Sequence, residues 1–110
     1  MNYRIEATAH FIKDLKNLKR KYPSIKTDLF NLQHDLLVNP FLGEPLGKDC
    51  FKIRLKISSK GKGKRGGGRV LTCVKVMNEK IYLLALYDKS EKETISDKEL
   101  DDMLKEAGLL

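Results

Sequence analysis

The chain has 110 residues, with 22 Lys and Arg against 15 Asp and Glu, giving a net charge of +7. This length suits one core and one domain, expected over residues 1–110, and 41% hydrophobic with 34% charged residues argues against general disorder. No apolar run nears the ~20 residues of a membrane span, and Met1-Asn2-Tyr3-Arg4 lacks a signal-peptide core, so a cytoplasmic protein without membrane contact is expected.

Tyr3, Ile5 and Ala7 alternate with Arg4, Glu6 and Thr8, the pattern of a half-buried strand. Thr8 can cap a helix whose apolar positions Phe11, Leu15, Leu18 and Tyr22 recur at helical spacing, and Pro23 ends it. Ser24 is a second N-cap candidate, followed by Ile25, Leu29, Leu32 and Leu36 on one stripe. Lys13, Lys16, Lys19, Arg20 and Lys21 lie mostly off these stripes. Two amphipathic helices joined by a tight break form a hairpin that needs a sheet to cover.

Asn39-Pro40 and Gly43-Glu44-Pro45-Leu46-Gly47 read as an irregular connection. Phe51, Ile53, Leu55 and Ile57 then alternate with Lys52, Arg54 and Lys56, a strand with one apolar and one basic face. Val70 to Met77 is the next strand, and Ile81 to Tyr87, almost wholly apolar, the last and a central one. Cys50 and Cys73 fall in or beside these strands, without zinc-site spacing, and suit small buried thiols. Ser96-Asp97-Lys98-Glu99 is a capping box opening a terminal helix, stopped at Gly108. The fold class is therefore α+β: an N-terminal strand and helical hairpin packed on a small, mostly antiparallel sheet, plus a C-terminal helix.

Phe51 to Asn78 holds Lys52, Arg54, Lys56, Lys60, Lys62, Lys64, Arg65, Arg69 and Lys75 and no Asp or Glu. Such a segment suits a polyanion, most simply nucleic acid. Lys52, Arg54 and Lys56 repeat every second residue, about 6.5–7 Å apart on one strand face, and Arg69 can reach the same surface. Gly61-Lys62-Gly63-Lys64-Arg65-Gly66 matches the glycine fingerprint of dinucleotide-binding folds in letters only, because a strand rather than a helix follows. It reads instead as a cationic loop in which Lys60, Lys62, Lys64 and Arg65 can meet phosphates. Tyr87 can stack on a base or belong to the core, and Lys89 can meet a phosphate. His10 and His34 fall on helices away from the basic face, and no carboxylate pair on the basic strands suggests a two-metal nuclease.

These segments in order, Asn39-Pro40-Phe41 to Gly47, Phe51-Lys52-Ile53-Arg54-Leu55-Lys56, Gly68-Arg69-Val70 and Ile81 to Ile95 with Tyr87-Asp88-Lys89-Ser90-Glu91-Lys92, resemble the RelE/ParE superfamily of bacterial type II toxins, nearest its HigB-like RelE branch. The resemblance implies ribosome-dependent cleavage of mRNA in the decoding site, which inhibits translation. In that chemistry a ribose 2′-OH attacks the adjacent phosphate, with no metal or other cofactor needed. It places Lys52 and Arg54 as a basic catalytic pair, Lys56 beside them on RNA, Arg69 as phosphate stabiliser and Lys89 as a further functional cation. The catalytic tyrosine of RelE aligns with Ile95, so that role is vacant or passes to Tyr87. The longer loop from Lys60 to Gly68 would grip ribosomal RNA. Implied partners are an antitoxin encoded next door, the ribosome with its mRNA, and DNA only through the antitoxin. A ParE-type inhibitor of DNA gyrase and a non-catalytic RNA-binding module are the competing functions.

Overall fold

The computed structural model describes residues 2–61, 63–92 and 94–110, with backbone only at Lys64 and Arg65. β1 (Arg4–Ala7) leads into the hairpin α1 (Ala9–Lys21) and α2 (Ile25–Val38), followed by β2 (Glu44–Gly47) and β3 (Cys50–Leu55). A 3-10 turn at Ser58–Lys60 and a single helical turn α3 (Gly63–Gly66) precede β4 (Gly68–Lys75), β5 (Lys80–Asp88) and α4 (Asp97–Glu106). The strands lie in the order β1-β5-β4-β3-β2, antiparallel except for β1, which runs parallel to β5. No helix among the described residues is long and apolar enough to cross a membrane.

The central strands β4 and β5 are buried on both faces, which explains the almost uninterrupted apolar run of β5. Ile53, Leu55, Val70, Val74, Ile81, Leu83 and Leu86 pack with Phe11, Leu18, Ile25, Leu29, Leu32 and Leu36 of the hairpin. On the opposite face Cys50, Leu71, Cys73, Leu84 and Ala85 pack under Leu100 and Leu104 of α4. Cys50 and Cys73 face each other in register as buried free thiols, as their strand positions suggested.

The helix signals hold in detail. Thr8 caps α1 by accepting from the Phe11 N–H at 3.2 Å. Ser96 and Glu99 form the reciprocal capping box of α4, and Gly108 at φ 73° closes it with the Leu109 N–H on the Leu104 carbonyl. Ser24 takes the expected N-cap position of α2 but makes no side-chain cap bond; its hydroxyl donates to Asp28 at 2.7 Å. Asp28, buried, also accepts from the Ser58 N–H and hydroxyl at 2.9 and 2.6 Å, which ties the 3-10 turn to the hairpin.

Three strand readings shift. The connection before β3 contains β2, paired to it through Glu44↔Lys52 and Pro45↔Phe51. β3 ends at Leu55, so Lys56 lies beyond the ladder, and β4 begins and ends two residues early, at Gly68 and Lys75. The register of β4 and β5 slips from Leu71↔Ala85 to Thr72↔Leu83, leaving Leu84 as a bulge. Strict alternation from Ile81 would turn Tyr87 toward the hairpin, whereas the extra residue turns it to the α4 side, where it packs.

Gly67 sits where the end of β3 passes α3. A Cβ there would lie 2.2 Å from the Leu55 carbonyl oxygen, an impossible contact without backbone movement. Gly67→Ala is therefore expected to cost about 1–3 kcal/mol, as overpacking does, and to lower Tm by roughly 4–8 °C per kcal/mol; thermal unfolding of the purified variant measures it.

Candidate functional site

Counting by twos from buried Cys50 puts Lys52 and Arg54 on the α4 side of β3. Counting back from Leu71 puts Arg69 on that side of β4, and the bulge puts Tyr87 there on β5. The register joins them: Arg54 pairs with Arg69, and Arg69 with Tyr87, a single row across three strands. α4 covers this face over Leu71, Cys73 and Leu84. Toward β2 the face opens into a cleft of about 490 Å³ lined by Leu42, Gly43, Glu44, Lys52, Ile53, Arg54 and Arg69.

The cations in the row differ in setting. Arg54 is exposed. Arg69 is only 3% exposed, and its guanidinium donates to the Gly68 carbonyl at 2.9 Å. Lys52 is held by Glu44 across β2 and β3, Nζ to Oε2 3.5 Å. Like charges directly opposite one another oppose ladder formation, so Arg54 beside Arg69 is not an arrangement that sheet stability selects. The row offers one buried and one exposed guanidinium and a phenol, with a carboxylate-tethered lysine beside it. Planar guanidinium forks match phosphoryl oxygens.

Tyr87 is half-buried against the α4 cluster, and Ile95 packs in the same cluster. Lys89 follows directly, its backbone N–H on the Gly67 carbonyl at 3.1 Å. Lys56 is exposed beside a second groove of about 250 Å³ between α2 and β3, shared with Arg54. Lys60, expected to meet phosphates from a solvated loop, turns inward instead. Its Nζ lies 2.6 Å from Asp88 Oδ1, with 10% of the side chain exposed. Lys62 lies outside the described residues, as do the side chains of Lys64 and Arg65.

Two residues missed by the sequence reading matter here. Glu44 lines the cleft and positions Lys52, and only the pairing of β2 reveals it. Asp88, fully buried, accepts from Tyr22 Oη at 2.5 Å, Lys60 Nζ at 2.6 Å, and the Ser90 hydroxyl and N–H at 2.8 and 2.9 Å. Burial pushes the Asp88 carboxyl up, but these donors together hold it well below the usual carboxylate range. Asp88 thereby fixes the end of β5 between Tyr87 and Lys89.

The fold has known counterparts. A mutant of the E. coli toxin RelE in the free state superposes with a TM-score of 0.60 at 17% identity, over 98% of this chain and 96% of that one. The toxin–antitoxin complex RelBE of E. coli also matches, with a TM-score of 0.60 at 17% identity over 78% of this chain and 95% of the other. At that identity the likeness speaks for the fold. A family model described as the RelE toxin of the RelE/RelB toxin–antitoxin system matches residues 41–110, a stretch that holds β2 through α4 and the whole row, and the chain belongs to that family of toxins.

Proposed function

We propose that this toxin is an endoribonuclease that cuts mRNA in the ribosomal decoding site and so arrests translation. The observation that carries the reading is the in-register pair Arg54 and Arg69 on the rim of an open cleft, with Lys52 beside it. Attack of a ribose 2′-OH on its own 3′-phosphate forms the O2′–P bond, breaks the bond to the next nucleotide's 5′-oxygen and leaves a cyclic phosphate. One proton leaves the 2′-OH and one reaches the departing 5′-oxygen. Charge accumulates on the non-bridging oxygens, where preorganised donors act most strongly. Arg69, fixed by burial and by Gly68, is suited to that role, and exposed Arg54 to gripping the incoming strand. Lys52, with Tyr87 and Lys89 at the other end of the row, supplies the groups for proton transfer. Lys56 extends the contact along the mRNA backbone.

In the decoding site the ribosome supplies the orientation of mRNA that in-line attack requires. The partner expected in the resting cell is an antitoxin covering the cationic face, as the E. coli toxin is found in complex with its own. The chain is read as one cytoplasmic domain.

Tightly induced wild type and Arg54→Ala, followed by mapping of mRNA 5′ ends, test the reading. Cuts inside translated codons that disappear in the variant are expected. Arrest without cuts would overturn the reading in favour of another target such as gyrase. RNA binding that persists without cleavage on programmed ribosomes would reduce the protein to a binding module.

A further inference from the structure

Most described lysines, Lys48, Lys60 and Lys80 among them, are tied to a carboxylate. The outer face of the hairpin is different. Lys13, Lys16, Lys19 and Arg20 of α1 and Lys26 of α2 are all exposed, and none makes an ion pair among the described residues. Two acids of the same helices are engaged elsewhere. Asp14 accepts from the Leu86 N–H at 2.9 Å and pairs with His10, and Asp28 is taken by Ser24 and Ser58. Lys19 and Lys26 lie close enough across the two helices that the second ammonium group lowers the proton affinity of Lys19.

Lys13, Lys16 and Arg20 follow one another at three and four residues, a single stripe with rises of about 4.5 and 6 Å. Lys16, Lys19 and Arg20 rim a shallow hollow on it. The inner side of this hairpin buries one sheet face, whereas the Arg54–Arg69–Tyr87 row occupies the other. The stripe and the row therefore lie on opposite sides of the molecule, and one strand of mRNA in the cleft cannot serve both.

We infer that the outer face of α1, centred on Lys16, Lys19 and Arg20 with Lys26, is a second docking surface that takes the phosphate backbone of double-helical RNA. Repulsion between its cations works against the isolated protein and is relieved by phosphates, whose counter-ions are released on binding. A-form helices present phosphates and 2′-hydroxyls rather than readable base edges, which suits a surface made only of cations. The inference rests on the ribosome-dependent reading above in one respect, that structured ribosomal RNA is the natural ligand: the row would cut the message while the stripe holds the RNA wall.

The probes are a short RNA duplex and purified small ribosomal subunits, each titrated with wild type, K16E/K19E/R20E, the milder K16Q/K19Q/R20Q, and Lys105→Gln. The charge-reversed variant, with Tm unchanged, is expected to bind the duplex at least about tenfold more weakly, with a salt slope reduced by about two to three; the glutamine variant should fall between. Lys105→Gln, at an exposed lysine of α4, should bind the duplex like wild type. On programmed ribosomes the charge-reversed variant should need more ribosomes for half-maximal cleavage while keeping the rate at saturation. Duplex affinity unchanged in both triple variants overturns the inference. So does loss of antitoxin binding with RNA binding retained, which would assign the stripe to an acidic protein partner. Because duplex binding is read without cleavage, a toxin that proves not to cut mRNA still leaves this surface testable.

Discussion

Arg69→Ala is expected to lower the single-turnover rate of mRNA cleavage on programmed ribosomes by about 10²–10³-fold, the loss that follows removal of one preorganised donor to a developing oxyanion. Arg69 is the group whose place is best defined before substrate arrives: it is 3% exposed and its guanidinium donates to the Gly68 carbonyl. Its burial also means that alanine empties space in the sheet, so activity has to be read beside Tm. Arg69→Lys separates the two effects, since it keeps the charge and most of the volume but not the fork that spans two phosphoryl oxygens. A large loss of rate in the lysine variant with little loss of stability is the expected result. Arg54→Ala, at an exposed position opposite Arg69, should reduce cleavage without moving Tm, because exposed substitutions rarely shift stability by more than ~0.5 kcal/mol. Wild-type cleavage by a folded Arg69→Ala protein would remove this row from the chemistry.

What the sequence makes legible is local. Periodicity finds both hairpin helices, Ser96 to Glu99 announces α4, and the alternation Phe51 to Leu55 assigns Lys52 and Arg54 to one face. What it hides depends on partners distant in the chain. β2 carries a proline and two glycines within or beside four residues, so turn chemistry masks a strand whose pairing alone brings Glu44 to Lys52. The Leu84 bulge lies inside an unbroken apolar run, where no polar residue marks which side chains face which way. Lys60 shares its composition with the glycine-rich segment after it, and only Asp88, 28 residues away, draws it inward. The row itself was readable on β3 but not across the sheet: that Arg54, Arg69 and Tyr87 share one line is a property of register and of one extra residue.

Asp88→Asn is expected to destabilise the protein by about 3–5 kcal/mol, the usual loss when one partner of a buried ion pair is removed and the other stays unpaired. Lys60 would remain, 10% exposed, beside a neutral amide, and the Tyr22 hydroxyl would lose a charged acceptor at 2.5 Å. The acid dependence follows from the direction of the Asp88 shift. Although burial works the other way, Lys60, Tyr22 and Ser90 hold its carboxyl below the ordinary value of 3.8. The folded state therefore favours the ionised form, and the stabilisation is complete above the unfolded value and is lost as pH falls through the folded one. Across pH 5 to 8 the wild type should show no Asp88-linked change, and below about pH 4 it should lose stability more steeply than Asp88→Asn. Urea unfolding of both proteins from pH 7 down to pH 3 measures this, and parallel curves would show that Asp88 is not linked to folding. Since Asp88 stands between Tyr87 and Lys89, the same variant should lose cleavage below its own Tm: freed from Tyr22 and Lys60, the end of β5 no longer holds the last position of the row in register with Arg69.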